Sequence, residues 1–135
     1  MQSAAEHKEA TKSVLVVDDH EDIRAMMRLT IETFGYSVIE AAGPYDAIGK
    51  VQKSQPDLIL MDIGLPLLDG LSTAKLIIGL EHCRQIPIVA VTAYRDIRDQ
   101  ATKAGCVDVL YKPIEPERLE QILNRHLAPT NQIVS

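Results

Sequence analysis

Cysteine occurs only twice in the 135 residues, at Cys83 and Cys106. The two form neither a CxxC pair nor a disulfide framework, so reduced thiols in or near the core are expected. No Cys/His set has ligand spacing, which disfavours zinc. Lys and Arg number 14 against 19 Asp and Glu, a net charge of -5. No basic stripe of the kind that tracks a phosphate backbone emerges, and direct nucleic-acid binding is not expected. Long apolar runs are missing too. Residues 1–12 carry charges and alanines with no apolar leader core, and no later run is long enough to span a bilayer, so no membrane association and a cytoplasmic location are expected. Repeats and low-complexity tracts are also lacking.

What is present is a chain with 46% hydrophobic residues, enough for one compact domain with its own core and too short for two ordinary ones. That domain is expected over residues 13–127, between flexible tails at 1–12 and 128–135. The tail "APTNQIVS" is short and polar, and no effector domain is expected after it.

Val14 to Val17 is a short β-branched run of the sort buried on both faces of a sheet. From Asp22 the apolar residues take helical spacing, with Ile23, Met26, Met27, Ile31 and Phe34 as the stripe, Gly35 as the stop, and Asp19 or His20 near the N-cap. Ser37 to Ala41 reads as a second strand. Gly43-Pro44 then opens a helix that turns Ala47, Ile48 and Val51 inward and ends at Gln55-Pro56. Asp57 to Asp62 is a third, almost wholly apolar strand, with "GLPLLDG" as the loop behind it. A Leu/Ile-rich helix over Leu71 to Leu80 leads to a fourth strand, Ile86 to Val91, ending in Thr92-Ala93. A charged helix from about Arg95 to Ala104, a strand from Val107 to Tyr111, and a last helix after Pro113 complete the pattern. Leu119, Ile122, Leu123 and Leu127 line one face of that last helix. Five strands alternating with five helices imply the α/β class, because parallel neighbours need crossover connections.

In open sheets of this class, ligands collect beyond the carboxyl ends of the strands, where the strand order reverses. If the order is 2-1-3-4-5, that point lies between the first and third strands, and Asp18 and Asp19 converge there on Asp62. Two unit charges about 4 Å apart repel by roughly 4 kcal/mol near a protein surface, and a divalent cation held by the acids would relieve that repulsion. Three oxygen-bearing acids suit hard Mg2+. A carboxylate can also act as a covalent nucleophile toward phosphorus. Thr92 could then hydrogen-bond a phosphoryl oxygen while Lys112 neutralises charge. Singly these are ordinary residues: acid pairs are often solvated turns or caps, and Lys-Pro is usually a turn. Their joint placement at strand ends carries the inference.

On "VVDDHED", "LILMDIGLPLLDG", "VAVTAY" and "YKPI" the chain resembles the receiver domain of two-component response regulators, from about Ser13 to Leu127. The resemblance implies a flavodoxin-like, doubly wound five-stranded parallel sheet of order 2-1-3-4-5. It implies that Asp62 accepts phosphate from a sensor histidine kinase or phosphotransfer protein. Mg2+ would be held by Asp19, Asp62 and the backbone carbonyl of Gly64, with Asp18 acting largely through water, while Thr92 and Lys112 sense the phosphoryl group. A cis Lys112-Pro113 bond is expected as well. The product would be a switch, not a turnover enzyme, that changes conformation and signals to a separate effector protein, with a phosphorylation-dependent homodimer as one form of output.

The chain departs from the family at the aromatic switch. The position three before Lys112, usually Tyr or Phe, is Val109, and Tyr111 lies two residues on, on the same strand face. Tyr111 is either a displaced switch or core packing, and aromatic rotamer coupling is expected to be weakened. Tyr94 either tunes the access of hydrolytic water or is a plain exposed aromatic. Gly64 is attributed chiefly to turn geometry and secondarily to open access for the phosphodonor. His20 is expected to be exposed and turned away from the cation, with a ligand or acid/base role as the alternative. The charged fourth helix, with Arg95, Asp96, Arg98, Asp99 and Lys103, is a solvated face or a salt-sensitive partner site. Leu71, Leu76, Ile77, Ile78 and Leu80 exceed one buried stripe, and some are expected to form a dimer or partner patch. The rivals are a receiver module cut from a hybrid kinase or larger regulator, an interaction-only pseudo-receiver, and a haloacid-dehalogenase-like Mg2+-dependent phosphatase. The acid spacing speaks against the last.

Overall fold

A computed structural model of the chain describes residues 11–65, 68–83 and 85–127. The two tails, apart from residues 11 and 12, and part of the "GLPLLDG" loop lie outside the described residues. In chain order the elements are β1 (Ser13–Val17), α1 (Glu21–Thr33), β2 (Ser37–Ala41), α2 (Pro44–Ser54), β3 (Leu58–Asp62), α3 (Gly70–Ile78), β4 (Ile88–Thr92), α4 (Arg98–Lys103), β5 (Asp108–Tyr111) and α5 (Pro116–Leu127). The strands form one parallel sheet of order β2-β1-β3-β4-β5, the expected doubly wound, flavodoxin-like arrangement.

The strand sequences explain why helices cover both faces. Every residue of β3 and of β4 is buried, so neither face of the central sheet can meet water. One face packs Leu15, Val17, Ile59, Met61, Ala90 and Val109 against α2, α3 and α4 through Val51, Ile77 and Ala101. The other packs Val16, Leu60, Val91 and Leu110 against α1 and α5 through Met27, Ile31, Leu119, Leu123 and Leu127. Burying one such aliphatic side chain contributes about 1.5–3 kcal/mol, which makes these two layers the main source of stability. Cys83 and Cys106 are buried free thiols, and burial pushes the Cys106 thiol up to about 11. Gly35, at φ 96, lets the chain leave α1 in a left-handed turn, its N–H donating to Glu32 O at 3.0 Å. The Lys112-Pro113 bond is cis, as expected.

Four expectations change. Met26 is 48% exposed although it lies on the apolar stripe of α1; adjacent helical positions point about 100° apart, and Met27 takes the inward one. The charged helix begins at Arg98, not Arg95, and residues 95–97 form a turn instead. Arg95 and Asp96 are exposed, and Ile97 is the residue of that turn packed against the core. The third helix ends at Ile78, with Gly79 as C-cap, short of Leu80. Of the five apolar residues there, Ile77 is buried, Leu71, Ile78 and Leu80 are half-buried against the core, and only Leu76 is exposed. The broad patch expected for dimerisation therefore shrinks to one side chain.

Candidate functional site

Strand register assembles the rim. Val17 pairs with Met61, which sets Asp18 beside Asp62; Asp62 pairs with Val91, one residue before Thr92; and Thr92 pairs with Tyr111. The N–H of Lys112 donates to Thr92 O at 2.8 Å, extending the ladder past β5 and fixing Lys112 at the same edge. Residues far apart in sequence thus meet at the point where the strand order reverses.

The acids differ in environment. Asp18 is 1% exposed and Asp62 4% exposed, whereas Asp19 lies open to water. Asp62 Oδ1 sits 3.4 Å from Lys112 Nζ and accepts from the Gly64 N–H at 3.2 Å. No described residue hydrogen-bonds its Oδ2, the oxygen left for chemistry. Asp18 Oδ1 accepts from the His20 N–H at 2.8 Å, while Asp18 Oδ2 is buried and lacks a hydrogen-bond partner among the described residues. Leaving a buried polar oxygen unpartnered costs about 1–3 kcal/mol, more for a charge. Asp18, Asp19, His20 and Asp62 each offer a ligand atom, all within 4.8 Å of one another. Three carboxylates with hard oxygen donors, one of them carrying an orphaned oxygen, fit Mg2+.

His20 overturns its expectation. It is exposed and stands at the N-cap of α1, but its side chain does not cap the helix. The ring faces the acids, with Nδ1 3.0 Å from Asp18 Oδ1 and 3.3 Å from Asp19 Oδ1. The contact with Asp18, and then the charge of Asp19, raise its pKa above the ordinary histidine value.

Gly64 is also corrected. It lacks a positive φ, and a Cβ there would meet only Asp62 Oδ1, at 4.0 Å. Turn geometry does not demand glycine; its effect is to leave space beside the carboxylate. In this loop it is Gly70 that the backbone requires, by close approach. A Cβ there would lie 2.2 Å from Asp62 O, so the start of α3 presses directly on the end of β3.

Thr92 is buried, and its Oγ1 accepts from the Tyr94 N–H at 3.0 Å. The Tyr94 ring is 66% exposed. Val109 is buried and Tyr111 half-buried on the same core face, as strand alternation requires. Arg95 stacks over the Tyr111 ring at 4.7 Å from its centroid.

Two arrangements were not legible beforehand. Glu40 on β2 takes Arg24 at 3.1 Å and Arg28 at 2.7 Å, and Arg24 also donates to the Asp18 carbonyl at 2.9 Å. Asp108, 8% exposed at the start of β5, meets Arg125 at 2.7 Å, His126 at 3.0 Å and Arg98 at 3.8 Å. Burial pushes its carboxyl up, but hydrogen bonds from His126, the Val109 N–H and Arg125 outweigh this and hold it below the usual aspartate value. A lone acid inside an apolar strand pattern was the only available signal.

The family model for the response regulator receiver domain matches residues 14–124. The chain belongs to that family. This receiver domain is 35% identical over 119 residues to the polar-differentiation response regulator DivK of Brucella ovis, covering 87% of this chain and 97% of that protein. Among solved structures it resembles the Vibrio cholerae chemotaxis protein CheY4, with 33% identity, TM-score 0.82, and coverage of 87% of this chain and 100% of that one. It also resembles the receiver domain of sensor histidine kinase PA1611 from Pseudomonas aeruginosa, solved with a magnesium ion coordinated in its active-site cleft. That pair shares 32% identity and a TM-score of 0.81 over 89% of this chain and 100% of that one. A receiver domain of two-component signalling leaves the haloacid-dehalogenase alternative without support. Among the described residues no helix is long and apolar enough to cross a membrane.

Proposed function

We propose that this receiver is a phosphorylation switch in which Asp62 accepts the phosphoryl group. The observation that carries this is the setting of Asp62: one carboxylate oxygen lies between Lys112 Nζ and the Gly64 N–H, beside the acids that follow β1. A sensor histidine kinase or phosphotransfer protein supplies the group. The free Asp62 oxygen attacks phosphorus, a new O–P bond forms, the N–P bond to the donor imidazole breaks, and the imidazole leaves and takes up a proton. Lys112 neutralises charge on the transferring group, and the Thr92 hydroxyl turns toward it in exchange for the Tyr94 N–H.

Asp19, Asp62 and the Gly64 carbonyl would hold Mg2+, with Asp18 acting largely through water. When bound, the ion offsets the repulsion among the acids and the phosphoryl charge. Tyr94 limits the water that reaches the acyl phosphate. The movement of Thr92 reaches the surface of α4, β5 and α5, where a separate cytoplasmic effector reads it, with Tyr111, stacked under Arg95, coupling to it only weakly. The unit that carries this switch is residues 13–127. The test is phosphorylation by acetyl phosphate: incorporation that requires Mg2+ and disappears in Asp62→Asn supports the proposal, and incorporation that survives the substitution refutes it.

A further inference from the structure

The acid cluster contains a group that an all-oxygen magnesium site does not need. His20 occupies the N-cap of α1 without capping it, so its ring is placed by the acids and not by the helix. Its Nδ1 lies 3.0 Å from Asp18 Oδ1 and 3.3 Å from Asp19 Oδ1. Adjacent ligands of an octahedral ion with bonds of about 2.1 Å stand about 3.0 Å apart, close to the 3.3 Å between Nδ1 and Asp19, the acid assigned directly to the cation. The ring is 61% exposed, and with no ion bound Nδ1 donates its hydrogen to the Asp18 carboxylate, which only accepts; a cation that takes Nδ1 as a ligand displaces that proton, while Nε2 keeps its own toward water. A second, independent feature points to a ligand: Asp18 is 1% exposed, and its Oδ2 has no hydrogen-bond partner among the described residues.

We propose that His20 supplies a nitrogen ligand to the cation site, so that this receiver selects late first-row divalent cations, such as Co2+ and Ni2+, over Mg2+ more strongly than carboxylates alone would. The inference rests on the acid cluster being the cation site described above. Mg2+ is hard and gains little when an imidazole replaces a water or a carbonyl, whereas Co2+ and Ni2+ bind imidazole well. Carboxylates by themselves also favour the later metals, so the diagnostic quantity is the change in relative affinity when the ring is removed.

The test uses the full chain, titrated calorimetrically with Co2+ alone and with Mg2+ alone, as wild type, His20→Asn and Asp19→Asn. The ratio of Co2+ to Mg2+ affinity is expected to fall about tenfold or more in His20→Asn. A paramagnetically shifted, exchangeable imidazole N–H resonance is expected in the Co2+-loaded wild type and not in that variant. A ratio within about twofold of wild type, or a resonance that persists in His20→Asn, overturns the assignment. If Asp19→Asn leaves the affinity for both ions unchanged, the cation-site reading itself fails and this inference with it, an outcome distinct from failure at His20 alone.

Discussion

Replacing Gly70 by alanine tests how firmly α3 is seated against the strand that carries Asp62. The new Cβ would stand 2.2 Å from Asp62 O, 2.8 Å from Ile63 Cα and 2.9 Å from Asp62 C. Non-bonded carbons rest about 3.5–4.0 Å apart, so the methyl overlaps backbone atoms that cannot rotate away. β3 is paired on both sides and buried throughout, which leaves the start of α3 to move. That movement stretches the Gly70 N–H to Ile63 O bond, now 3.0 Å, and disturbs the Asp69 cap on Ser72 N, now 2.8 Å. Overpacking costs about 1–3 kcal/mol and a weakened hydrogen bond about 0.5–1.5 kcal/mol, for an expected loss of about 2–4 kcal/mol. Gly49→Ala is the matched control. That residue sits inside α2 with open space around it, and alanine there is expected to add about 0.5–1 kcal/mol. Urea unfolding followed by circular dichroism measures both variants against wild type. A Gly70→Ala stability within about 0.5 kcal/mol of wild type would refute the close seating of α3.

Other consequences follow from the same contacts. Arg24→Ala removes the link between the Asp18 carbonyl and Glu40 and is expected to cost about 1.5–3 kcal/mol; in a urea double-mutant cycle with Glu40→Gln the losses should be less than additive. The carboxyl of Asp108 is depressed on folding, so its contribution is complete above the ordinary value of 3.8 and is lost as pH falls through its lowered folded value. The stability gap between wild type and Asp108→Asn should therefore stay level down to about 3.8 and narrow from there until the lowered folded value is passed, as urea titrations across the acid range would register. Tyr94→Ala should shorten the half-life of the phosphorylated form, and an unchanged decay in a phosphate-release assay would remove Tyr94 from any gating role.

Much of the fold was readable because β1, β3 and β4 are apolar runs too hydrophobic for a sheet exposed on either face, and Asp18, Asp19, Asp62, Thr92 and Lys112 each follow or end a strand. The same logic failed where periodicity is silent. Residues 95–97 carry charges that suit a turn as well as a helix, and Met26 and Met27 compete for one inward position. Side-chain direction was a second blind spot. Nothing in "DDHED" says that the His20 ring turns back onto the acids instead of capping α1. Close approach was a third: Gly64 and Gly70 look alike in the loop, yet only Gly70 lies against backbone. The Arg24–Glu40 and Asp108 clusters join residues 10 to 18 positions apart and exist only once the sheet has formed.

The central claim is that one carboxylate oxygen, on Asp62, carries the phosphoryl group. Borohydride reduces an acyl phosphate to an alcohol and leaves free carboxylates intact, so an aspartyl phosphate is recorded as homoserine at its position. After treatment with acetyl phosphate and Mg2+, peptide mass spectrometry should place homoserine at position 62 and nowhere else. Homoserine at Asp18, Asp19 or Asp108, or at no position while the protein is demonstrably folded, would contradict the account.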